Sequence, residues 1–429
     1  MDITRGSQTL FVFFTAAMFF LGCINTGAQE LEEFGSIEPA GDLNAGRYNH
    51  TATLLNDGNV LVTGGTGDGR NSLSSAEVFD PEEKTWTSVA DMAQPRMRHT
   101  ATLLDSGKVL IAGGFSGNGV GYPSLFKHYN GSGNISYSST EIYHPDAGAF
   151  SPAQSMNIGR FWHRAVKLTD GRVLVIGGLN VSMGALSSCE IYNPTNGQWS
   201  QAASLNVARA RFTATLLQNG SVLITGGHNG REKAPYSSCE LYLPEANKWI
   251  AVSSMNRARG YHSGILMEDG KVMVSGGFSG PEQSDWKDSE IFDPDSGTWK
   301  STGEMSLPRH NHESALIPTG EVVIFSGSNC QTGGAHSGIE YYDSKEEEWK
   351  DTNIVMLGVK WALATALENG DVLITGGLTC LEASTASFIY SPPEEKDDSG
   401  ISGFQAVTLI AAAVILISII GHDKSHKKN

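Results

Sequence analysis

A glycine that closes a short apolar run, most often as the second of a Gly-Gly pair, recurs seven times along this 429-residue chain. It stands at Gly65, Gly114, Gly178, Gly227, Gly277, Gly327 and Gly377, so the successive intervals are 49, 64, 49, 50, 50 and 50 residues. A second marker keeps the same phase. Glu77, Glu141, Glu190, Glu240, Glu290 and Glu340 are each followed nine residues later by an aromatic, namely Trp86, Phe150, Trp199, Trp249, Trp299 and Trp349. A period near 50 residues is that of a propeller blade. The repeat therefore overrides the two or three domains that a prior of roughly 150 residues per domain would give.

Within each unit the local signals describe four strands, a to d. Asp57-Gly58, Asp170-Gly171, Asn219-Gly220, Asp269-Gly270 and Asn369-Gly370 each separate two short apolar runs. This predicts a tight a–b hairpin with a type I′ turn. Strand b runs into the glycines, whose missing side chains let backbones approach closely. Strand c carries Glu and an aromatic, and strand d carries Trp after a Pro-containing turn. This order resembles the kelch repeat, and the resemblance covers roughly residues 34–392. It implies an all-β fold, a seven-bladed β-propeller of four-stranded blades, which is a scaffold that hosts unrelated functions. Residues 34–43 imitate a strand d with no strands before them, while the seventh unit lacks its own. The N-terminal strand is therefore expected to close the last blade, with Phe34 in the Trp position, since a closed ring leaves no sheet edge.

The termini predict the location. Residues 1–28 read as a secretory signal, with Arg5, an apolar stretch over 10–21 and the small residues Thr26-Gly27-Ala28; lipidation of Cys23 is the alternative processing. The propeller is assigned residues 29–392 and an acidic linker residues 393–403. Residues 404–420 are apolar enough to span a membrane, with basic residues 421–429 on the cytoplasmic side. That places the propeller at the cell surface on a single membrane anchor. The apolar segment after Ser402-Gly403-Phe404 also resembles the C-terminal sorting signals of archaeal surface proteins.

Export implies an oxidising compartment. Cys189 and Cys239 occupy equivalent strand-c positions, on the order of 14 Å apart if strands step outward by about 4.7 Å, which is too far for a disulfide. Cys330 and Cys380 lie in loops nearer the channel and are the expected disulfide. Asn130, Asn134, Asn180 and Asn219 match the N-glycosylation acceptor pattern.

Arg47, Arg96, Arg160, Arg209, Arg259 and Arg309 precede strand a in the six units whose strand c opens with Glu. The seventh unit replaces both with Val359 and Phe388, which reads as an ion pair within the blade. The histidine three residues after each Arg (His50, His99, His163, His262, His312) recurs too often to form one metal cage and is expected to pack. The two positions in between differ from unit to unit, which directs attention to one mouth of the channel. There Tyr48, Asn49, Arg98, Trp162, Arg211, Tyr261, His310, Asn311, Lys360 and Trp361 are the candidate ligand-binding residues. The 15-residue excess between Gly114 and Glu141, rich in aromatics, is expected to cover part of that mouth.

A net charge of -16 argues against nucleic acid as a partner. No catalytic or metal constellation stands out and no cofactor is called for. The chain reads as a binding or adhesion module for an extracellular glycan or protein. The alternative is an extracellular enzyme acting on a sugar, either resembling galactose oxidase, whose copper site uses two Tyr, two His and a Tyr-Cys crosslink, or acting on sialic acids.

Overall fold

A computed structural model describes residues 34–117, 134–229, 234–280, 285–329 and 334–393. The export signal, Cys23, most of the linker, the 404–420 segment, the basic tail, Asn130 and Cys330 lie outside the described residues, as does nearly all of the aromatic insertion. Among the described residues no helix is long and apolar enough to cross a membrane.

The compact unit Ile37–Tyr390 contains seven four-stranded antiparallel sheets. Strand b shows why the chain folds this way. Val60–Thr63, Val109–Ala112, Val173–Ile176, Val222–Thr225, Val272–Ser275, Val322–Phe325 and Val372–Thr375 are buried at every position. A short, unbroken apolar run needs cover on both faces, and each blade obtains it from its neighbours. Blades 3 and 4, for example, share one cluster in which Leu174 and Ile176 meet Val222, Ile224 and Trp249.

Strands a, b, c and d alternate in direction, so the starts of a and c and the ends of b and d share one face of the ring. The a–b hairpins and c–d turns share the other. The hairpins are not type I′. Only the glycine has positive φ (Gly58 82°, Gly171 82°, Gly270 81°), while the residue before it does not. In blade 1, Gly58 N–H donates to the Leu55 carbonyl and Leu55 N–H to the Asn59 carbonyl. This is a type I turn closed by a left-handed glycine in a G1 bulge. It explains why Ser106-Gly107 and Thr319-Gly320 serve equally well, with Gly107 and Gly320 at 77° and 87°.

The last blade is Leu363–Ala366, Val372–Thr375 and Ala386–Ser391, completed by the N-terminal strand Ser36–Asp42. Ser387 Oγ donates to the Ala40 carbonyl at 3.1 Å, and Leu43 N–H donates to the Thr385 carbonyl at 2.8 Å. Phe34 precedes the strand and does not take the Trp position. Ile37 packs against Phe388 and Tyr390 instead, six residues before buried Leu43 just as Trp86 is six before Met92.

Candidate functional site at the channel mouth

The mouth rests on a buried polar framework. In six blades the Arg guanidinium is at most 1 % exposed and pairs with the strand-c Glu of its own blade. In blade 5, Arg259 Nη2 reaches Glu290 Oε1 at 2.7 Å, and Nη1 donates to the Gly276 carbonyl at 2.6 Å. The other carboxylate oxygen accepts Asn256 N–H at 2.6 Å. The pair therefore also satisfies backbone groups that a lone ion pair would leave stranded.

The Arg backbone ties blade to blade. Its carbonyl accepts the N–H of the preceding blade's second glycine, from Gly65 to Arg96 (2.9 Å) round to Gly377 and Arg47 (2.9 Å), with Val359 standing in for Arg in the seventh. The histidine adds a side-chain link, as His99 Nε2 lies 2.8 Å from Thr63 Oγ1 and His262 Nε2 2.8 Å from Thr225 Oγ1. This close approach is what the glycines permit. A Cβ on Gly64 would lie 2.3 Å from the Arg96 carbonyl oxygen and 2.8 Å from His99 Cε1. Burial, aided by the neighbouring Arg, pushes His50 down to about 3 and the other four well below the usual imidazole range. All five are neutral near neutral pH.

The second residue of each variable pair adopts the left-handed conformation in every blade. Its φ is 56° at Asn49, 57° at Arg98, 52° at Trp162, 58° at Arg211, 56° at Tyr261, 52° at Asn311 and 59° at Trp361. Five of these are bulky residues that rarely accept positive φ. A chain of hydrogen bonds holds them. Arg98 N–H donates to the Asn49 carbonyl, Trp162 to Arg98, Arg211 to Trp162, Tyr261 to Arg211, Asn311 to Tyr261 and Trp361 to Asn311, at 2.9 to 3.4 Å.

All seven side chains line one channel cavity of about 160 Å³, with the five histidines, Thr100, Arg164, Glu313 and Leu363. The first residue of each pair makes a bridge to the b–c loop instead, such as Tyr48 to Thr66 and Lys360 to Leu378. The structure thus brings together Asn49, Arg98, Trp162, Arg211, Tyr261, Asn311 and Trp361. Tyr48 and Lys360 border a separate groove with Asp68, Cys380 and Leu381, and His310 Nδ1 lies 2.8 Å from Asp285 Oδ2.

The cavity wall is prearranged and polarised. Arg98 and Arg211 stack on the Trp162 ring at 3.7 and 3.3 Å, and Arg211 also lies 4.5 Å from the Tyr261 ring. Arg211 Nη1 donates to His228 Nε2 at 3.0 Å. On the far side Tyr48 and Trp361 stack, 5.5 Å apart and 18° from parallel. Deeper in, Arg164 Nε donates to the Phe212 carbonyl at 2.9 Å, and Glu313 stands on the opposite wall. Arg164 and Glu313 were not singled out from the sequence. The signal was one position beyond the variable pair and the histidine, where other blades carry Thr, Ser or Leu.

Cys189 and Cys239 are buried free thiols, pushed up to about 11 and about 12 chiefly by burial. Cys380 is exposed, and its expected partner lies outside the described residues. Asn180 Nδ2 donates to the Gly159 carbonyl at 2.7 Å, and Asn219 Oδ1 accepts Ser221 N–H in its turn. Asn134 lies just before the short strand Ile135–Ser136.

The model of the Kelch motif matches residues 47–93, 164–206 and 209–256. The chain carries kelch repeats. An F-box/kelch-repeat protein of Arabidopsis thaliana is 46% identical over 54 residues, which is 13% of this chain and 14% of that protein. The kelch propeller is also similar to a fungal alcohol oxidase of the AA5 family solved in complex with copper. The TM-score is 0.66 at 15% identity, over 86% of this chain and 79% of that one. A protein named YjhT gives a TM-score of 0.55 at 16% identity, over 73% of this chain and 99% of its own. At such identities the two structures establish a shared fold and no more.

A copper site of the galactose oxidase type does not fit the described residues of this kelch propeller. Cys189 and Cys239 lie in strand c rather than at the channel, and Tyr261 is the channel's tyrosine. Each channel histidine turns Nε2 to a neighbouring hydroxyl and keeps Nδ1 sealed from solvent.

Proposed function

We propose that the kelch propeller is a recognition module that binds a glycan or a protein on the face carrying the channel mouth, without transforming it. One observation carries this reading. At the seven left-handed positions the backbone is invariant while Asn, Arg, Trp and Tyr share the side chains so that no two adjacent blades carry the same one. A structural requirement would repeat with the fold, whereas a single asymmetric ligand calls for a different side chain at each point it touches.

The rest of that face supports the reading. The exposed large apolar residues Ile135, Met183 and Leu381 lie in b–c loops, Leu307 and Leu357 in the links from strand d to the next strand a, and Val355 at the end of strand d in blade 6. The opposite face is edged by turn residues such as Glu82, Glu83, Asp170, Asp269, Glu346 and Glu347. Aromatic planes beside Arg and Asn suit ligands that offer apolar area and polar groups together. The export signal and the apolar C-terminal segment extend the proposal to a propeller displayed outside the cell on a membrane anchor.

The test is binding of the full chain to a glycan array and to proteins of the surrounding surface, compared with an Arg211→Ala, Trp361→Ala variant that keeps its melting transition. Binding that vanishes in the folded variant is the expected result. Binding that survives it unchanged would move the site away from the mouth.

A further inference from the structure

The channel wall departs from the repeat at two charged residues. Strand a opens after the channel histidine with Thr51, Thr100 or Ser263, with Thr213 after Phe212, and with Leu363 in blade 7, but with Arg164 in blade 3 and Glu313 in blade 6. Five blades thus form without a charge at this position, so the framework does not require one. Blades 3 and 6 face each other across a seven-membered ring. With Arg98 and Arg211, three guanidiniums and one carboxyl converge on about 160 Å³ inside a chain of net charge -16.

We propose that a carboxylate-bearing ligand enters this channel to meet Arg164 and the Arg98–Trp162–Arg211 stack, and that it does so only when Glu313 on the opposite wall carries a proton. The inference rests on the recognition reading above and names its ligand class. An ionised Glu313 would repel the incoming anion and compete for the same guanidiniums. A protonated one leaves three cations and can donate a hydrogen bond. Burial pushes the Glu313 carboxyl up to about 7, while Arg164 pulls the other way, so the exchange falls near neutral pH. The other titratable groups on the cavity are His312 just before the same strand, His262 in blade 5, and His50, His99 and His163 around the ring, all neutral. Tyr261, Arg98 and Arg211 complete the set, and Leu363 in blade 7 is uncharged. The device therefore turns on one proton.

The experiment titrates the full chain with sugar acids, short carboxylates and acidic amino acids, each beside its uncharged amide or alcohol. Melting shifts and calorimetry in two buffers of different ionisation enthalpy give the readout. The expected result is a carboxylate that binds at about pH 5.5 at least tenfold more tightly than its neutral counterpart. Its Kd should rise about tenfold per pH unit above about pH 7, with uptake of one proton. Glu313→Gln should bind equally at both ends of that range, and Arg164→Gln should melt like the wild type yet bind at least tenfold more weakly. The inference is overturned if no carboxylate binds, if the neutral counterpart binds as well, or if Glu313→Gln keeps the pH dependence. Array binding that needs Arg211 and Trp361 but persists in Arg164→Gln would sink the inference and spare the recognition reading. Absence of any binding on the mouth face would sink both.

Discussion

Arg259 and Glu290 illustrate what a single buried pair does in every blade but the last. Losing either partner alone leaves an uncompensated charge, so Arg259→Leu and Glu290→Leu are each expected to cost about 3 to 5 kcal/mol. The double variant should cost at least about 1 kcal/mol less than their sum in a denaturation cycle. It should not reach zero cost, because the Gly276 carbonyl and Asn256 N–H also lose their partners. Strictly additive losses would refute the pairing. The channel histidines set the acid limit. Their folded values lie below the unfolded 6.5, so their contribution is complete above about pH 6.5 and is lost as pH falls below it, for His50 towards about 3. Replacing His262 by Phe, the residue that Phe212 supplies in blade 4, should flatten that loss by about 1.4 kcal/mol per pH unit; an unchanged pH profile of melting would contradict this. Glu313 has the opposite sign. Its value is raised from 4.5 to about 7, so it favours the folded state below about pH 4.5 and that advantage is lost as pH rises to about 7. Glu313→Gln should remove a decline of at most about 3 kcal/mol, and less because water in the channel reaches the carboxyl. The framework pair was legible because both partners vanish together at Val359 and Phe388. Glu313 was not, because its importance lies in what faces it across the ring, and no spacing along the chain encodes that.

Strand b and its glycines show how a local conformation and its neighbour change together. In blade 6 the first glycine is Ser326, at φ 61°. The next blade carries Val359 and Ala362 where Arg and His stand elsewhere, and there is no imidazole for the serine Cβ to meet. Ser326 still pays for a left-handed backbone, and its buried hydroxyl has no hydrogen-bond partner among the described residues. Ser326→Gly should therefore stabilise the protein by about 1 to 2 kcal/mol, read as a shift in denaturant midpoint. Gly226→Ala should destabilise it by more than that, since its Cβ would meet the Arg259 carbonyl oxygen at 2.3 Å; a neutral result for Gly226→Ala would contradict the crowding. The strand pattern was readable from the sequence because period, burial and turn residues agree. The turn type was not, since a glycine after Asp or Asn serves both I′ and G1 geometries, and Ser106-Gly107 was the clue that only the glycine mattered.

Closure governs the molecule as a whole. Removing residues 34–43 would leave Ala386–Ser391 with an open edge and blade 7 without Ile37 and Ala40 in its packing. The expected outcome is a lower melting temperature and concentration-dependent association, measured by scanning calorimetry and light scattering. An unchanged transition would show that the ring does not depend on its seam. That the N-terminal segment completes the last blade could be read from the missing Trp after Phe388, but its register could not, because Phe34 was the nearest aromatic and Ile37 the residue at the right distance. The bonds from each second glycine to the next blade's carbonyl make a complete circuit of main-chain links. Because these contacts involve no side chain of the variable pairs, evolution or an engineer can rewrite all seven mouth residues as an alphabet, changing what the protein selects while the circuit that displays the letters is untouched.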